Sequence, residues 1–483
     1  MADSRRKKPK YPKTQRLTLM ADPSQSESSE EKAVGGVDRI SDLPDCVLIH
    51  IVSFLPFNQT ILTSLLSTRW KPLWTYVPIL DIRNNYFPRV SRVLRLLQLK
   101  APCIQTFRML YNYSVNPYQL DRLVSTVTTP NLKVFDLRIH STENYWKLSP
   151  SILSCKSLVV LKLAWKIDFH PLLSSSLSFQ LPRLKILRFK RISFRNCNSL
   201  TRLLSACPVL EQLSLKVVSF PKDVCLKIWV PTLKLLRITN ARFWFRFESE
   251  FPVVGYKYEI DAPSLEYFEF GGPLGDIIFL GKLDNLIEAR LHIWSIENDE
   301  SLYDLGLEMK LERIFNLLVP LNKLKFLSFS YSARECRGFG SFCSMFQNLV
   351  RLDFTFNNRN WDVLQALLRV APNLRVLFFK RSYDYHRCHH WSPAHVEEHN
   401  QLCSSEPPKD PNALSSHLTT FYFRGYSGIE NEVEFVKFIL KESRLLKTMT
   451  VEVEVESYMS EEGVLEKLST FPRSSSTCLL TVK

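Results

Sequence analysis

The chain has 483 residues, a formal net charge of +15 and 45% hydrophobic residues. That length allows two to four ordinary domains, or one elongated repeat array with a small module, and the composition is that of a folded protein. No stretch reaches the ~18 apolar residues of a membrane span, and the charged N-terminus is unlike a signal peptide. We therefore expect a protein of the nucleus and/or cytoplasm with no membrane partner. Eleven cysteines, odd in number and without C-x-x-C spacing, argue against a disulfide framework or a zinc finger.

Residues 1–36 are predicted to be a disordered basic arm. Residues 1–20 contain seven Lys or Arg and one Asp, and a Ser- and Glu-rich stretch with too little apolar surface to fold follows them. The run RRKKPK at residues 5–10 is typical of a nuclear import signal and equally of a solvated tail. The positive charge of the whole chain favours acidic partners: a protein surface, a phosphorylated ligand or nucleic acid.

The segment 38–74 contains more apolar side chains than three short helices bury among themselves. Apolar residues recur at helical spacing over 43–55, which predicts an amphipathic helix that Pro56 ends. A second apolar stripe spans 61–66, and a third short helix is predicted over 69–74. A charge-poor, aromatic-rich surface of this kind usually meets a partner.

The same segment resembles a plant F-box motif, on DRIS-x-LPD from Asp38, I-x-x-FL from Ile51 and LS-x-RW-x-x-LW from Leu66. The resemblance implies a three-helix unit over 37–82 that docks on a Skp-family adaptor and so joins a cullin-based ubiquitin ligase. It also implies six adaptor-facing residues: Leu43, Pro44, Leu48, Ile51, Leu55 and Trp70. In a purely structural interpretation these residues are the core of a small helical domain, and a helix bundle needs some of them there.

Beyond this segment one phrase recurs, L-x-x-L-x-L with Phe or Ile allowed. Copies begin at Leu132, Leu158, Leu184, Leu210, Leu233, Leu265, Leu286, Leu324, Leu349, Leu374 and Leu418, with a degenerate copy at Ile104. Most of the steps fall in or near the range of leucine-rich repeats. Alternate residues of a strand point inward, so the last two apolar positions fill a core while neighbouring strands form one parallel sheet. The sequence thus predicts an α/β fold: the three-helix unit, an irregular leucine-rich-repeat solenoid over 100–380 with the sheet on its concave face, and a C-terminal cap.

Outward positions of the predicted strands carry Arg and Lys on neighbouring repeats. The basic residues predicted to bind a target are Arg138, Lys162, Arg188, Lys190, Lys216, Arg237 and Arg290. On strands about 4.8 Å apart, such a stripe suits an acidic peptide or a phosphate group, and a solvated sheet face is the alternative. The resemblance also implies a small-molecule possibility, since some plant F-box repeat receptors hold a hormone or an inositol phosphate on this face.

Residues 381–416 are predicted to be a loop or insertion that contains five of the ten histidines. Residues 395–399, HVEEH, match the H-x-x-E-H spelling of a zinc peptidase, in which His395 and His399 would bind zinc beside a glutamate base. A match with two free positions arises by chance, and four prolines crowd the segment. Since G-x-S-x-G, G-x-x-x-x-G-K-[ST] and G-x-G-x-x-G are also lacking, we predict no catalytic residue, metal or cofactor.

The C-terminal residues 391–483 resemble the FBD domain that closes many plant F-box repeat proteins, on W-x-P from Trp391, GY at Gly425 and FPR from Phe471. A strand, a helix and a strand are predicted at 418–423, 432–443 and 449–455. These elements would cap the last edge of the sheet.

The resemblance implies a non-catalytic substrate receptor of a Skp-cullin-F-box ubiquitin ligase, with a target that the sequence does not name. A basic scaffold that binds nucleic acid or acidic or phosphorylated partners is the alternative. Only residues 242–246, RFWFR, interleave basic and aromatic side chains as a nucleic-acid reader does, so nucleic acid is not the expected partner. A zinc hydrolase that uses the histidine loop is a third hypothesis.

Overall fold

The computed structural model describes residues 39–83, 90–99, 104–111, 116–140, 145–169, 179–194, 197–218, 225–239, 257–273, 275–294, 313–314, 316–332, 346–356, 360–381, 407–408, 414, 417–454 and 460–483. The basic arm, the run 242–246 and the five histidines of the predicted loop lie outside these residues. The chain divides into two compact units, Met1–Leu48 and Ile49–Lys483. None of the helices within the described ranges combines the length and apolar character needed to cross a membrane.

Nine α-helices of the described residues have defined bounds, and residues 313–314 and 316–318 are also α-helical. The nine helices are α1 (Asp45–Ser53), α2 (Phe57–Leu62), α3 (Leu73–Tyr76), α4 (Val90–Leu99), α5 (Pro117–Val127), α6 (Cys197–Ser205), α7 (Trp361–Arg369), α8 (Glu430–Glu442) and α9 (Glu461–Ser469). Three short 3₁₀ helices cover Thr63–Leu65, Pro150–Ser154 and Val319–Leu321.

The same residues form nineteen strands. They are β1 (Ile79–Ile82), β2 (Thr106–Tyr111), β3 (Val134–Ile139), β4 (Trp146–Lys147), β5 (Val160–Phe169), β6 (Ile186–Phe194), β7 (Gln212–Lys216), β8 (Cys225–Trp229), β9 (Leu235–Thr239), β10 (Lys257–Asp261), β11 (Tyr267–Pro273), β12 (Ile277–Phe279), β13 (Glu288–Trp294), β14 (Phe326–Ser332), β15 (Arg351–Phe356), β16 (Val376–Arg381), β17 (Thr420–Tyr426), β18 (Thr448–Val453) and β19 (Leu479–Val482).

The described part of the first unit is a turn that leads into α1. The backbone N–H of Leu43 donates to the carbonyl of Ile40 at 3.1 Å, and that of Val47 donates to the carbonyl of Pro44 at 2.9 Å. The first N–H groups of a helix have no intrahelical acceptor, so a proline, which has no N–H, loses no hydrogen bond there. Pro44 fits this position for that reason. The helix begins at Asp45, whose carboxylate suits the positive end of the helix dipole.

Prolines also set the helix boundaries at the start of the second unit. Helix α1 ends at Ser53, before Pro56 as predicted, and α2 begins directly after Pro56, ahead of the predicted stripe at 61–66. The third helix was expected over 69–74, and this start is wrong, since α3 begins at Leu73. The residue before a proline disfavours helical backbone, so Pro72 delays the helix until the residue that follows it.

A single parallel sheet contains sixteen of the described strands. Its order is β1-β2-β3-β5-β6-β7-β9-β11-β13-β14-β15-β16-β17-β18-β19, with β4 paired beside β5. The repeat phrase stays in register from strand to strand: Leu161 pairs with Leu187, and Leu163 with Phe189. The predicted α/β architecture, a repeat array built on a parallel sheet, is confirmed.

The inward positions of the strands form one continuous core. Leu161, Leu187 and Leu213 are fully buried at equivalent positions of successive repeats. Further along the sheet, the rings of Phe329, Phe354 and Phe379 lie in the same column with centroids 6.4 and 6.2 Å apart. Burying one such side chain contributes about 1.5–3 kcal/mol, and each strand obtains part of that burial from the next strand.

Two features of the sheet differ from the sequence prediction. The sheet begins with β1, which pairs with β2 and lies within the segment 37–82 assigned to the three-helix unit. A second parallel sheet, in the order β12-β10-β8, occupies connections where other repeats carry helices. Residues 225–229, CLKIW, alternate with a period of two, which favours a strand over a helix, and the sequence reading overlooked this signal.

The C-terminal cap is joined to the sheet by a buried carboxylate. Glu432 in α8 has no exposed surface, and its Oε2 accepts the backbone N–H groups of Ser427 at 2.8 Å and Gly428 at 3.0 Å. Its Oε1 accepts from Arg381 at the end of β16 at 3.2 Å. Gly428 has φ 75°, which aims these two successive N–H groups at one oxygen. Burial raises the pKa of Glu432, while Arg381, Ser427 and Gly428 oppose that rise.

Removing the arginine charge tests this junction. We expect Arg381→Met to lower the free energy of unfolding by about 3 kcal/mol, because a buried carboxylate then loses its counter-charge. When the pKa of a carboxyl is higher in the folded chain than in the unfolded chain, the folded chain loses stability as pH rises from the lower value to the higher one. Removing Arg381 raises the folded pKa of Glu432 further and so enlarges this loss. Denaturant titrations should therefore show a larger loss at about pH 7.5 than at about pH 5.

Arg424 offers a matched control, because it is exposed and pairs with Glu452 at 3.2 Å on the next strand. Arg424→Met should change the free energy of unfolding by less than about 1 kcal/mol. Equal effects of the two substitutions would contradict a structural role for the buried junction.

Candidate partner-binding surfaces

The start of the second unit exposes apolar side chains to an unusual degree. The apolar segment, as we name it, comprises Ile51, Phe54, Leu55, Leu62, Leu65 and Leu66, all exposed. Leu65 is 79% exposed and Phe54 is 74% exposed. In the first unit, Ile40, Pro44 and Val47 are also exposed, and Leu43 is half-buried. Clustered exposed apolar residues mark interaction sites, because water solvates them poorly.

Two of the six residues predicted to face an adaptor are buried in the structure. Leu48 has no exposed surface, and Trp70 is 5% exposed. Leu48 and Val52 lie four residues apart on one side of α1, and both are buried, while Ile51 on the same helix and Leu55 beyond its end are exposed. Leu48 and Trp70 thus belong to the core that the structural interpretation expects, and the six partner-facing assignments stay predictions.

The strand register aligns the predicted basic residues in two rows across the sheet. One row runs Arg108, Asp136, Lys162, Arg188, Ser214, Arg237, Glu269 and Arg290 from β2 to β13. A second row, two residues further along each strand, contains Arg138, Ala164, Lys190 and Lys216. All seven residues predicted to bind a target therefore lie on one face of the sheet.

Three of these seven residues have carboxylate partners on the same face. Arg138 pairs with Asp136 at 3.0 Å, Arg237 with Glu269 at 3.0 Å, and Arg290 with Glu288 at 2.7 Å. The continuous basic stripe that the sequence suggested is therefore divided. Asp81 with Arg83 and Arg108, and Arg351 with Asp353, are further ion pairs of this face, and the sequence reading did not include them as pairs.

The other four residues form what we call the basic island: Lys162, Arg188, Lys190 and Lys216, on β5, β6 and β7. Arg188, Lys190 and Lys216 are exposed, and Lys162 is half-buried. Burial lowers the pKa of Lys162, and the nearby Arg188 charge lowers it further. Burial and then the charges of Lys216 and Arg191 lower the pKa of Lys190. Positive charge therefore accumulates here more than elsewhere on the described face.

A pocket of about 660 Å³ adjoins the first row within the second unit. Phe54, Leu55 and Phe57 line one side, and Arg83 and Arg108 line the other. Two carboxylates, Asp81 and Asp136, hold the arginines that border this pocket.

Metal binding has no support in the described residues, which contain no cluster of three or more His, Cys, Asp or Glu side chains suited to a metal ion. His395 and His399 lie outside the part of the chain that the structure describes, so the H-x-x-E-H match stays an expectation from sequence.

Three family profiles match successive parts of the chain. The F-box domain matches residues 40–81, the LRR repeats of the FBD-associated F-box protein At5g56370 match 120–268, and FBD matches 406–451. The FBD-associated F-box protein At5g60610 of Arabidopsis thaliana is 30% identical over 86% of this chain and all of its own length. The putative F-box/FBD/LRR-repeat protein At5g56810 of the same plant is 29% identical, covering 92% of this chain and 97% of its own. The chain therefore belongs to the plant F-box/FBD/LRR-repeat proteins.

Substitutions of core and of exposed residues in the F-box segment should have different effects on the free energy of unfolding. We expect Trp70→Ala to cost about 3–5 kcal/mol of unfolding free energy, because it empties a buried site. Leu65→Asp should change that free energy by no more than about 0.5 kcal/mol, because water already surrounds the side chain. Thermal melts of the purified variants compare the two, and a large loss in Leu65→Asp would place this residue in the core.

Proposed function

We propose that this protein is the substrate-recognition subunit of a Skp-cullin-F-box ubiquitin ligase. The observation that carries the proposal is the exposed apolar segment, which lies inside the stretch that matches the F-box domain. An F-box domain generally binds a Skp-family adaptor, and through the adaptor the subunit joins a cullin. Leu43, Pro44, Ile51 and Leu55 are the proposed adaptor contacts.

The chain contributes no catalytic group to this function. Its role is to hold a target protein near the ubiquitin-loading enzyme, and the rate gain comes from proximity. The outward face of the sheet is the proposed target-binding surface, since it is broad, charged and assembled from many repeats. The nucleus and/or cytoplasm is the proposed location.

Co-purification of the full chain with a plant Skp-family adaptor tests the proposal. We expect stoichiometric capture by the wild type and at least about a 100-fold weaker dissociation constant for Ile51→Asp/Leu55→Asp. Two charges in a desolvated apolar contact account for a loss of this size. Leu445→Asp/Leu479→Asp is the matched control, because both leucines are exposed and lie near the other end of the chain.

The control variant should capture the adaptor as the wild type does. A folded wild-type chain that fails to capture it would sink the ligase assignment and favour the alternative, a basic scaffold. That alternative predicts binding to nucleic acid that weakens steeply as salt rises.

A further inference from the structure

The basic island has a compact geometry that the strand register fixes. Lys162 lies directly beside Arg188, and Lys190 lies directly beside Lys216. Neighbouring strands are about 4.8 Å apart, and two residues along a strand span about 6.6 Å. The four side chains therefore rise from the corners of a small patch and are long enough to converge above it.

Carboxylates border this patch but do not enter it. In the described register the outward positions from Lys162 to Ala164 on β5, Arg188 to Lys190 on β6 and Ser214 to Lys216 on β7 carry no Asp or Glu, while Asp168, further along β5, lies opposite Ser193 and is buried. On one side Asp136 accepts both donor groups of Arg138, at 3.0 and 3.1 Å. On the other side Glu269 accepts from Arg237 at 3.0 Å and from the hydroxyl of Tyr267 at 2.7 Å. The nearest acidic groups are therefore engaged with other partners.

An indole positions part of the island. The Nζ of Lys190 lies 4.8 Å from the ring centroid of Trp165, and the guanidinium carbon of Arg191 lies 4.2 Å from it. Cation–π attraction restricts the rotamers of both cations. Binding an anion then costs less side-chain entropy than it would with freely rotating lysines.

The backbone is strained where the island ends. Trp165, Arg191 and Val217 follow the second row on three successive strands, and their φ angles are 73°, 56° and 52°. Positive φ is uncommon for residues other than glycine, and it is a genuine outlier for β-branched Val217. Strain of this kind is retained where the surrounding structure enforces it, and it clusters at binding sites. The register of β5 and β6 shifts between Ala164 and Ile167, and Trp165 and Arg191 lie beside Lys190 at this irregularity.

We propose that the basic island binds a phosphorylated serine or threonine of the target protein. This inference rests on the proposed function, because it names the chemical class of the target. A phosphate monoester has nearly two negative charges and three acceptor oxygens, which suits four converging donors better than a single carboxylate does. It also relieves the mutual repulsion of the four cations.

The size of the island favours a phosphorylated peptide over nucleic acid. A nucleic-acid interface typically neutralises about 6–10 phosphates along a track. Here the ion pairs of Arg138 on one side and Arg237 on the other interrupt the positive surface after three strands. The island accommodates one or two phosphate groups, which is the length scale of a modified side chain.

Fluorescence anisotropy of the full chain tests the inference with three labelled peptide libraries. The libraries share degenerate flanks around a fixed phosphoserine, serine or glutamate. We expect the phosphoserine library to bind at least about tenfold more tightly than the serine library, because its hydrogen bonds are charge-assisted, and than the glutamate library, because a phosphate has more charge and one more acceptor oxygen than a carboxylate. Lys190→Gln/Lys216→Gln should abolish that preference.

The matched control is Lys323→Gln/Lys437→Gln, which removes the same two charges from ion-paired positions outside the strands and should keep the preference. Thermal melts accompany the binding data. The island variant should melt at or above the wild-type temperature, because it removes like-charge repulsion, so loss of binding there is not loss of folding.

Three results would overturn the inference: equal binding of the phosphoserine and serine libraries, tighter binding of a single-stranded oligonucleotide, or binding of inorganic triphosphate at the island without binding of phosphoserine peptides. Adaptor capture is measured on the same preparations and is independent of the island. Capture without a phosphoserine preference refutes this inference and leaves the proposed function intact. A phosphoserine preference without adaptor capture refutes the proposed function and leaves the phosphate-binding role of the basic island supported.

Discussion

The structure depends on one constraint: every strand of the array has inward-facing apolar side chains that it cannot bury alone. Leu161 and Leu163 of one repeat pack against the equivalent Leu187 and Phe189 of the next, and the backbone ladder keeps them in register. The interaction is local in sequence and repeated, so stability is a sum over neighbouring repeats. The array therefore tolerates irregular spacing between strands, because each connection has only to return the chain to the next ladder position.

The same ladder determines where charge accumulates on the outward face. The hydrogen-bond register places residues at equivalent positions side by side whatever their charges, and like charges cannot move apart without breaking the backbone hydrogen bonds. Where Asp136 or Glu269 occupies such a position, the neighbouring arginines are neutralised. Across β5 to β7 these positions hold cations or uncharged residues, and positive charge concentrates there. Packing inside the sheet and recognition outside it thus follow from one register.

The F-box segment shows the opposite relation between pattern and burial. Its apolar residues exceed what its short helices bury, and the excess remains on the surface as the apolar segment. Leu48 and Ile51 are three residues apart on one helix, yet the first is buried and the second is exposed. Exposing such a surface to water costs free energy, and a bound partner removes that cost. The local excess of apolar residues is thus linked to the proposed adaptor contact.

The amino-acid sequence is enough to predict the repeat, the parallel sheet and the F-box and FBD segments, because each rests on local periodicity or on a contiguous motif. It also placed Lys162, Arg188, Lys190 and Lys216 on one face, since strand alternation is independent of the rest of the fold. The burial of Leu48 and Trp70, and the neutralisation of Arg138, Arg237 and Arg290, emerge only from the three-dimensional packing. The physical reason is that burial and ion pairing depend on which side chains from other elements lie within a few ångströms, and a one-dimensional pattern does not contain those distances.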